Sequence, residues 1–198
     1  GMTVLALHVK EHAETSGKNS VIITAAADID DAIDDVVRSA FGHAGQKCSA
    51  ASLAIVEASL YDEPAFRARL ADTVRSLRVG AAWEASSQVG ALIRPPGGAL
   101  ARALTQLDTG ESWLVQPHQI GANPRLWRPG VKLGVRPGSE FHLTECFGPV
   151  LGLMRANDLT HAIALANQPS YGLTGGIHSL DDREVARWCD EVQVGNAY

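Results

Sequence analysis

Residues 21–56 read VIITAAADIDDAIDDVVRSAFGHAGQKCSAASLAIV, and this stretch sets the fold class. Val21-Ile22-Ile23-Thr24 is a short β-branched run of the kind that fills a buried strand. Asp28 stands where a helix N-cap belongs. Behind it Ile29, Ala32, Ile33, Val36, Val37, Ala40 and Phe41 recur at helical spacing, with Asp30, Asp31, Asp34 and Asp35 on the other face. The acids of the first turn also suit the positive end of the helix dipole. Leu53 to Val56 is a second strand. Strand, helix and strand at this length make a βαβ crossover, which predicts an α/β fold with a mainly parallel sheet flanked by helices.

Between that helix and the second strand lies GHAGQKCSAAS, residues 42–52. Cys48 sits among small and polar residues that leave its sulfur reachable, and Gly45 lets the backbone turn sharply. A new helix beginning near Cys48 would lower the thiol pKa through its unpaired N–H groups and dipole, favouring the nucleophilic thiolate. The alternative is a small, inert, buried cysteine. His43 is five positions earlier, a spacing that puts no two side chains on one helix face.

The chain has 198 residues, enough for one large domain or two small ones. Apolar residues make up 45% and charged residues 20%, as in ordinary globular proteins. The net charge is −5 with both signs scattered, which argues against nucleic acid or an anionic membrane as partner. No apolar run is long enough to span a bilayer. Cys48, Cys146 and Cys189 are odd in number and widely spaced, without a CxxC pair, so neither a disulfide framework nor a zinc site is expected. That usage points to a reducing cytoplasm. The seven histidines form no HExxH arrangement, and no metal is expected.

Further along, Thr3 to Val9 reads as a short strand and Glu14 to Asn19 as a polar loop. Asp62 is placed to cap a second helix with Pro64 in its first turn, lined by Phe66, Leu70, Val74 and Leu77 and ended by Gly80. From Asp108 to Gly138 four prolines and five glycines interrupt the pattern. That segment reads as long loops with short edge strands such as Ser112 to Val115. Val150 to Met154 is a strand, and Asp158 caps a helix. Leu173 to Ile177 is a glycine-interrupted strand. Asp181 caps a helix that turns Val185, Trp188 and Cys189 inward, and Val192 to Val194 is a last strand.

Four segments taken in order, AETSGKN at 13–19, GQKCSA at 45–50, ECFGPV at 145–150 and YGLTGG at 171–176, resemble the catalytic domain of the aldehyde dehydrogenase superfamily. SAFGHAGQKCSAASL, ESWL at 111–114, FHLTECFGPVLGLMRA, GIHSLDDRE and GNAY narrow the likeness. They resemble 1-pyrroline-5-carboxylate (L-glutamate γ-semialdehyde) dehydrogenases, especially those forming the C-terminal part of bifunctional proline-utilisation proteins. The resemblance implies that Cys48 attacks an aldehyde and that Glu14 activates the water that hydrolyses the resulting thioester. Glu145 would bind the nicotinamide ribose of NAD, Phe147 would lie beside the nicotinamide, and Ser49 would hold the substrate carboxylate. Read from residues alone, Glu14 is a solvated loop carboxylate, Glu145 a surface charge, Phe147 a core ring and Ser49 a helix-start cap. Lys18, Asn167 and Gly172 also match family motifs and read as structural.

No GxGxxG follows a strand, and the family's dinucleotide-binding domain normally precedes the ETSGKN-like segment. The expectation is therefore a single catalytic domain over residues 1–198, with NAD bound mainly by a domain absent from this chain and with no dehydrogenase turnover by the chain alone. Within the family, the resemblance implies homo-oligomers and fusion to a proline dehydrogenase domain. Two other classes stay open: a non-catalytic truncated or assembly module, and a cysteine acyl-transfer enzyme using Cys48 and Glu14.

Overall fold

A computed structural model describes residues 16–198. The strand expected at Thr3–Val9 and the carboxylate of Glu14 lie outside the described residues. In chain order the elements are β1 (Asn19–Ile23), α1 (Ile29–Phe41), β2 (Ala51–Glu57), α2 (Ala58–Tyr61), α3 (Pro64–Ser76), α4 (Gly98–Thr105), β3 (Ser112–Val115) and β4 (His118–Gln119). They continue with β5 (Trp127–Arg128), β6 (Gly130–Leu133), α5 (Glu140–Leu143), β7 (Val150–Ala156), α6 (Leu159–Ala166), β8 (Thr174–His178), α7 (Asp182–Glu191) and β9 (Asn196–Ala197).

Seven strands form one sheet in the order β3-β6-β7-β2-β1-β8-β9, and β4 pairs with β5 in a separate ribbon. Every pairing in the large sheet is parallel except that of the edge strand β3 with β6. This is the mainly parallel α/β sheet that the 21–56 stretch predicts. The crossover from β1 to β2 runs one way along the sheet and that from β7 to β8 the other. With right-handed crossovers the two directions put α1 and α6 on opposite faces. Accordingly α1 packs on α3, and α6 on α7. Central strand β2 is covered on both sides, which is why ASLAIVE is almost continuously apolar. Leu53, Ile55, Leu151, Leu153 and Met154 are fully buried at the sheet centre.

Several helix starts follow their local code. Asp28 accepts from the N–H groups of Asp30 (3.0 Å) and Asp31 (3.2 Å), Asp158 from His161 (2.8 Å), and Asp181 from Arg183 (2.9 Å). Asp62 departs from expectation: Glu63 precedes Pro64 at the start of α3. The Asp62 carboxylate instead takes a two-pronged bond from Arg155 at 2.7–3.0 Å, because a guanidinium fork outcompetes a single N–H. That helix ends at Leu77 rather than Gly80.

The 108–138 region holds the largest difference. β3 is an edge strand as expected, but β6 is an interior strand between β3 and β7. Its pattern is masked by flanking Pro129 and Gly134 and by Lys132, a charge buried within it. Glu111 makes this tolerable: its carboxylate pairs with Lys132 Nζ at 2.8 Å, and the Gln106 carbonyl accepts from the same ammonium at 2.8 Å. In α7 only Trp188 is buried, whereas Cys189 faces solvent, contrary to its expected inward position. The last strand is Asn196–Ala197, not Val192–Val194, since Val192 is taken up as the C-cap of α7. Among the described residues no helix is long and apolar enough to cross a membrane, and no cluster of His, Cys, Asp and Glu could hold a metal ion.

Candidate active site

Parallel strands all begin at the same end of their sheet. The loops entering β1, β2, β7 and β8 therefore converge at one end, and they carry the four motif segments. Open α/β sheets more often bind ligands at the carboxyl ends of their strands; here the motif residues gather at the amino ends.

The chain leaves α1 by a tight reversal. His43 and Ala44 both adopt left-handed backbone (φ 55° and 56°), followed by Gly45 at φ 67°. A β-carbon at Gly45 would collide with the Gly148 carbonyl, so glycine is needed there for both φ and space. Next comes a turn closed by the Ala50 N–H donating to the Lys47 carbonyl at 3.1 Å, with Cys48 and Ser49 as its central residues. Cys48 is exposed. No helix begins here. The chain passes directly into β2, so the expected helix-dipole activation of Cys48 and helix-capping by Ser49 are both corrected. The β-branched and apolar run after Ala51 favours a strand over a helical turn.

The turn is held from the side by Asn19, at the start of β1. Its Nδ2 donates to the carbonyls of Cys48 (2.7 Å) and Ala50 (2.9 Å). Its Oδ1 accepts from the N–H of Thr174, the first residue of β8, at 3.1 Å. Two residues earlier, Gly17 packs so closely that a β-carbon there would stand 2.6 Å from the Cys48 carbonyl oxygen. The Gly17 N–H donates to Glu145 Oε1 at 3.0 Å, which brings Glu145 against the same segment. Gln46 ties the cysteine loop to the next motif, its Nε2 donating to the Phe147 carbonyl at 3.2 Å and its Oε1 accepting from the Ile93 N–H at 2.9 Å. Phe147 is itself left-handed (φ 51°) and 38% exposed, so it is not a core ring. A cleft of about 510 Å³ with His43, Gln46, Trp83 and Ile93 on its walls opens beside this loop.

The three cysteines separate clearly. Cys146, between Glu145 and Phe147, is buried with its Sγ 3.6 Å from the Thr144 carbonyl, and burial pushes its thiol pKa up. Cys48 and Cys189 are exposed.

Beneath the site Lys18 is buried, its Nζ donating to Ser52 Oγ at 2.8 Å and standing 3.8 Å over the Phe141 ring. Burial lowers its pKa to about 8; Lys132, 4.8 Å from the same ring, adds to the lowering, while Cys146, Glu145 and Glu111 oppose it. Asn167 accepts from the Gln193 N–H and donates to the Glu191 carbonyl, finishing α7, in keeping with its structural reading.

Thus Cys48, Ser49, Glu145 and Phe147 share one end of the sheet. Glu14 lies just outside the described residues, two positions before Ser16. Asn19 is the residue that sequence reasoning passed over. Its signal was an amide at the end of the ETSGKN segment, two positions before the β-branched run that begins at Val21.

Residues 4–198 match the family model described as the aldehyde dehydrogenase family. The 1-pyrroline-5-carboxylate dehydrogenase of Geobacillus thermodenitrificans is 32% identical over 189 residues, which cover 94% of this chain and 36% of that protein. The structure of Proline Utilization A from Corynebacterium freiburgense is 56% identical with a TM-score of 0.90, over 93% of this chain and 19% of that one. A double mutant of Staphylococcus aureus betaine aldehyde dehydrogenase, in complex with NAD+, is 26% identical with a TM-score of 0.83, over 93% of this chain and 38% of that one. This chain thus spans little more than a third of the curated relative's length.

Proposed function

Given that the chain belongs to the aldehyde dehydrogenase family, we propose that it is the cysteine-bearing catalytic part of a proline-degradation dehydrogenase. That enzyme oxidises L-glutamate γ-semialdehyde, the open form of 1-pyrroline-5-carboxylate, to L-glutamate. The observation that carries this reading is the convergence of the Cys48 turn and Glu145 on residues 17–19, with Phe147 tied to the same cysteine loop through Gln46. The similarity to 1-pyrroline-5-carboxylate dehydrogenase and to Proline Utilization A supports the substrate, and a place within a longer, fused polypeptide.

In this reading the Cys48 thiolate adds to the aldehyde carbon. A C–S bond forms, and the carbonyl π pair moves to oxygen, giving a thiohemiacetal oxyanion. The Cys48 amide N–H would donate to that charge. A bound NAD supplies the two-electron acceptor that turns the adduct into a thioester. The residues present fit its nicotinamide end. Glu145 is anchored through Oε1 by Gly17, which leaves Oε2 for ribose hydroxyls, and the half-exposed Phe147 ring offers a face for an aromatic ring. The rest of the dinucleotide would be held by parts of the protein beyond this chain. Glu14 then takes a proton from water as it attacks the thioester, and the C–S bond breaks to return the thiolate. Ser49, beside Cys48 in the turn, would donate to the substrate carboxylate.

The test is NADH formation by the longer protein that contains this chain. Cys48→Ala should abolish it. Ser49→Ala should lower kcat/KM for glutamate semialdehyde about ten- to hundredfold, the loss of one hydroxyl bond to a charged group. A simple aliphatic aldehyde should be affected much less. Equal losses on both substrates would remove the case for this aldehyde.

A further inference from the structure

We propose that Asn19 is a positioning residue for the nucleophile: its side-chain amide fixes the central peptide of the Cys48 turn and the peptide by which the chain leaves it. The proposal rests on the reading of Cys48 as nucleophile and adds what orients it.

A peptide group is planar, with its C=O and N–H pointing opposite ways. Holding the Cys48 carbonyl against Asn19 at 2.7 Å therefore turns the Ser49 N–H to the opposite side of that peptide. Holding the Ala50 carbonyl at 2.9 Å does the same for the Ala51 N–H, which donates to Ser39 Oγ at 3.1 Å. The Ala50–Ala51 peptide is thus gripped at both ends. The Ala50 N–H closes the turn onto Lys47. Neither of the two peptides that Asn19 grips is free to rotate, and the Cα of Cys48 adjoins the first of them.

The chemistry of the grip calls for an amide. Asn19 is 4% exposed, gives both Nδ2 hydrogens and accepts one at Oδ1. Aspartate keeps the acceptor for Thr174 but has no donors, and would face two carbonyl oxygens with a negative charge. Serine can donate once. Alanine leaves two buried carbonyls to find other partners.

The three thiols provide the assay. Cys48 reports the site, exposed Cys189 on α7 is an internal reference, and buried Cys146 reports loss of fold. Iodoacetamide labelling across neutral to alkaline pH, read by peptide mapping on the 198-residue chain, gives all three rates at once. Asn19→Asp should lower the Cys48 rate about tenfold near neutral pH, as expected for losing two donors next to an added charge. It should also move the Cys48 profile to higher pH, while Cys189 stays unchanged and Cys146 stays protected. Asn19→Ser should lose less and keep the wild-type pH profile.

Cys48 rates and profiles within twofold of wild type in both variants would overturn the proposal. So would labelling of Cys146 in every Asn19 variant, which would make Asn19 a folding residue. If wild-type Cys48 reacts no faster than Cys189, the nucleophile reading falls. The ratio of variant to wild type still decides the role of Asn19.

Discussion

The helix caps at the carboxyl ends of the parallel sheet and the motif residues at its amino ends make different kinds of interaction. At the carboxyl ends of β1, β7 and β8 the chain enters α1, α6 and α7, and the side chains that start those helices act locally. Asp28 reaches two and three residues ahead, Asp158 three and Asp181 two. At the amino ends the side chains reach across the fold. Asn19 bonds to partners 29 and 155 residues away, Gln46 to one 101 away, and Glu145 to Gly17 across 128. A local cap can be lost while the sheet stays whole. A long-range bond locks neighbouring loops against one another beyond what the pairing of their strands does, so losing it loosens several at once.

The strongest test breaks an amino-end contact outright. Gly45→Ala puts a β-carbon at φ 67° and into the Gly148 carbonyl. Left-handed strain and overpacking together should cost about 3 kcal/mol. The denaturation midpoint should fall with an unchanged m-value, and Cys48 labelling should change as well, because the loop must shift.

Next in size is the buried charge of Lys18, whose pKa in the fold is about 8 against an ordinary 10.5. Between those pH values the unfolded chain holds a proton that the folded chain does not, so this group makes stability rise with pH, by roughly 3 kcal/mol at most. Below pH 8 the cost of burying the cation is present in full. Cys146 and Tyr61, both pushed up by burial, act in the opposite sense over the same range. Comparing wild type with Lys18→Met cancels the Tyr61 contribution, and the Cys146 thiol, which loses the lowering influence of Lys18 in the variant, moves the difference in the same direction as Lys18 itself. Wild-type stability relative to the variant should climb from pH 8 to 10.5, and a flat difference would mean that Lys18 is not buried as a cation.

The smallest effects belong to the carboxyl ends. Asp28→Ala and Asp158→Ala remove exposed caps and should each cost about 1 kcal/mol. The two losses should add, because the sites share no partner. Cys48 labelling should not respond. If a cap variant alters the Cys48 rate as much as Gly45→Ala does, the two ends are not separable.

This division also explains what could be read from the chain alone. The βαβ unit, the caps at Asp28, Asp158 and Asp181, and the parallel sheet rest on short periodicities and i+2 or i+3 bonds. β6 was hidden because Lys132 is an unfavourable residue for a strand interior until Glu111, 21 residues distant, neutralises it. The Asp62 cap failed for the same reason, since its partner Arg155 lies 93 residues on. At the site, residue types and their motif order were legible. The strand after Cys48 was signalled by its own β-branched run, whereas the role of Asn19 depends on partners that spacing cannot reveal.

The span between Asn19 and Thr174 also has a consequence in time. Asn19 and Cys48 leave the ribosome before the β8 residue that fills the Asn19 acceptor, which comes 155 residues after Asn19. At cellular rates of synthesis that interval is about 8–30 s. Throughout it the amide can rotate, and the Cys48 turn lacks its final orientation. The thiol is therefore a nascent-chain group before it is a site, open to oxidation or to passing electrophiles while the far end of the sheet is still being made.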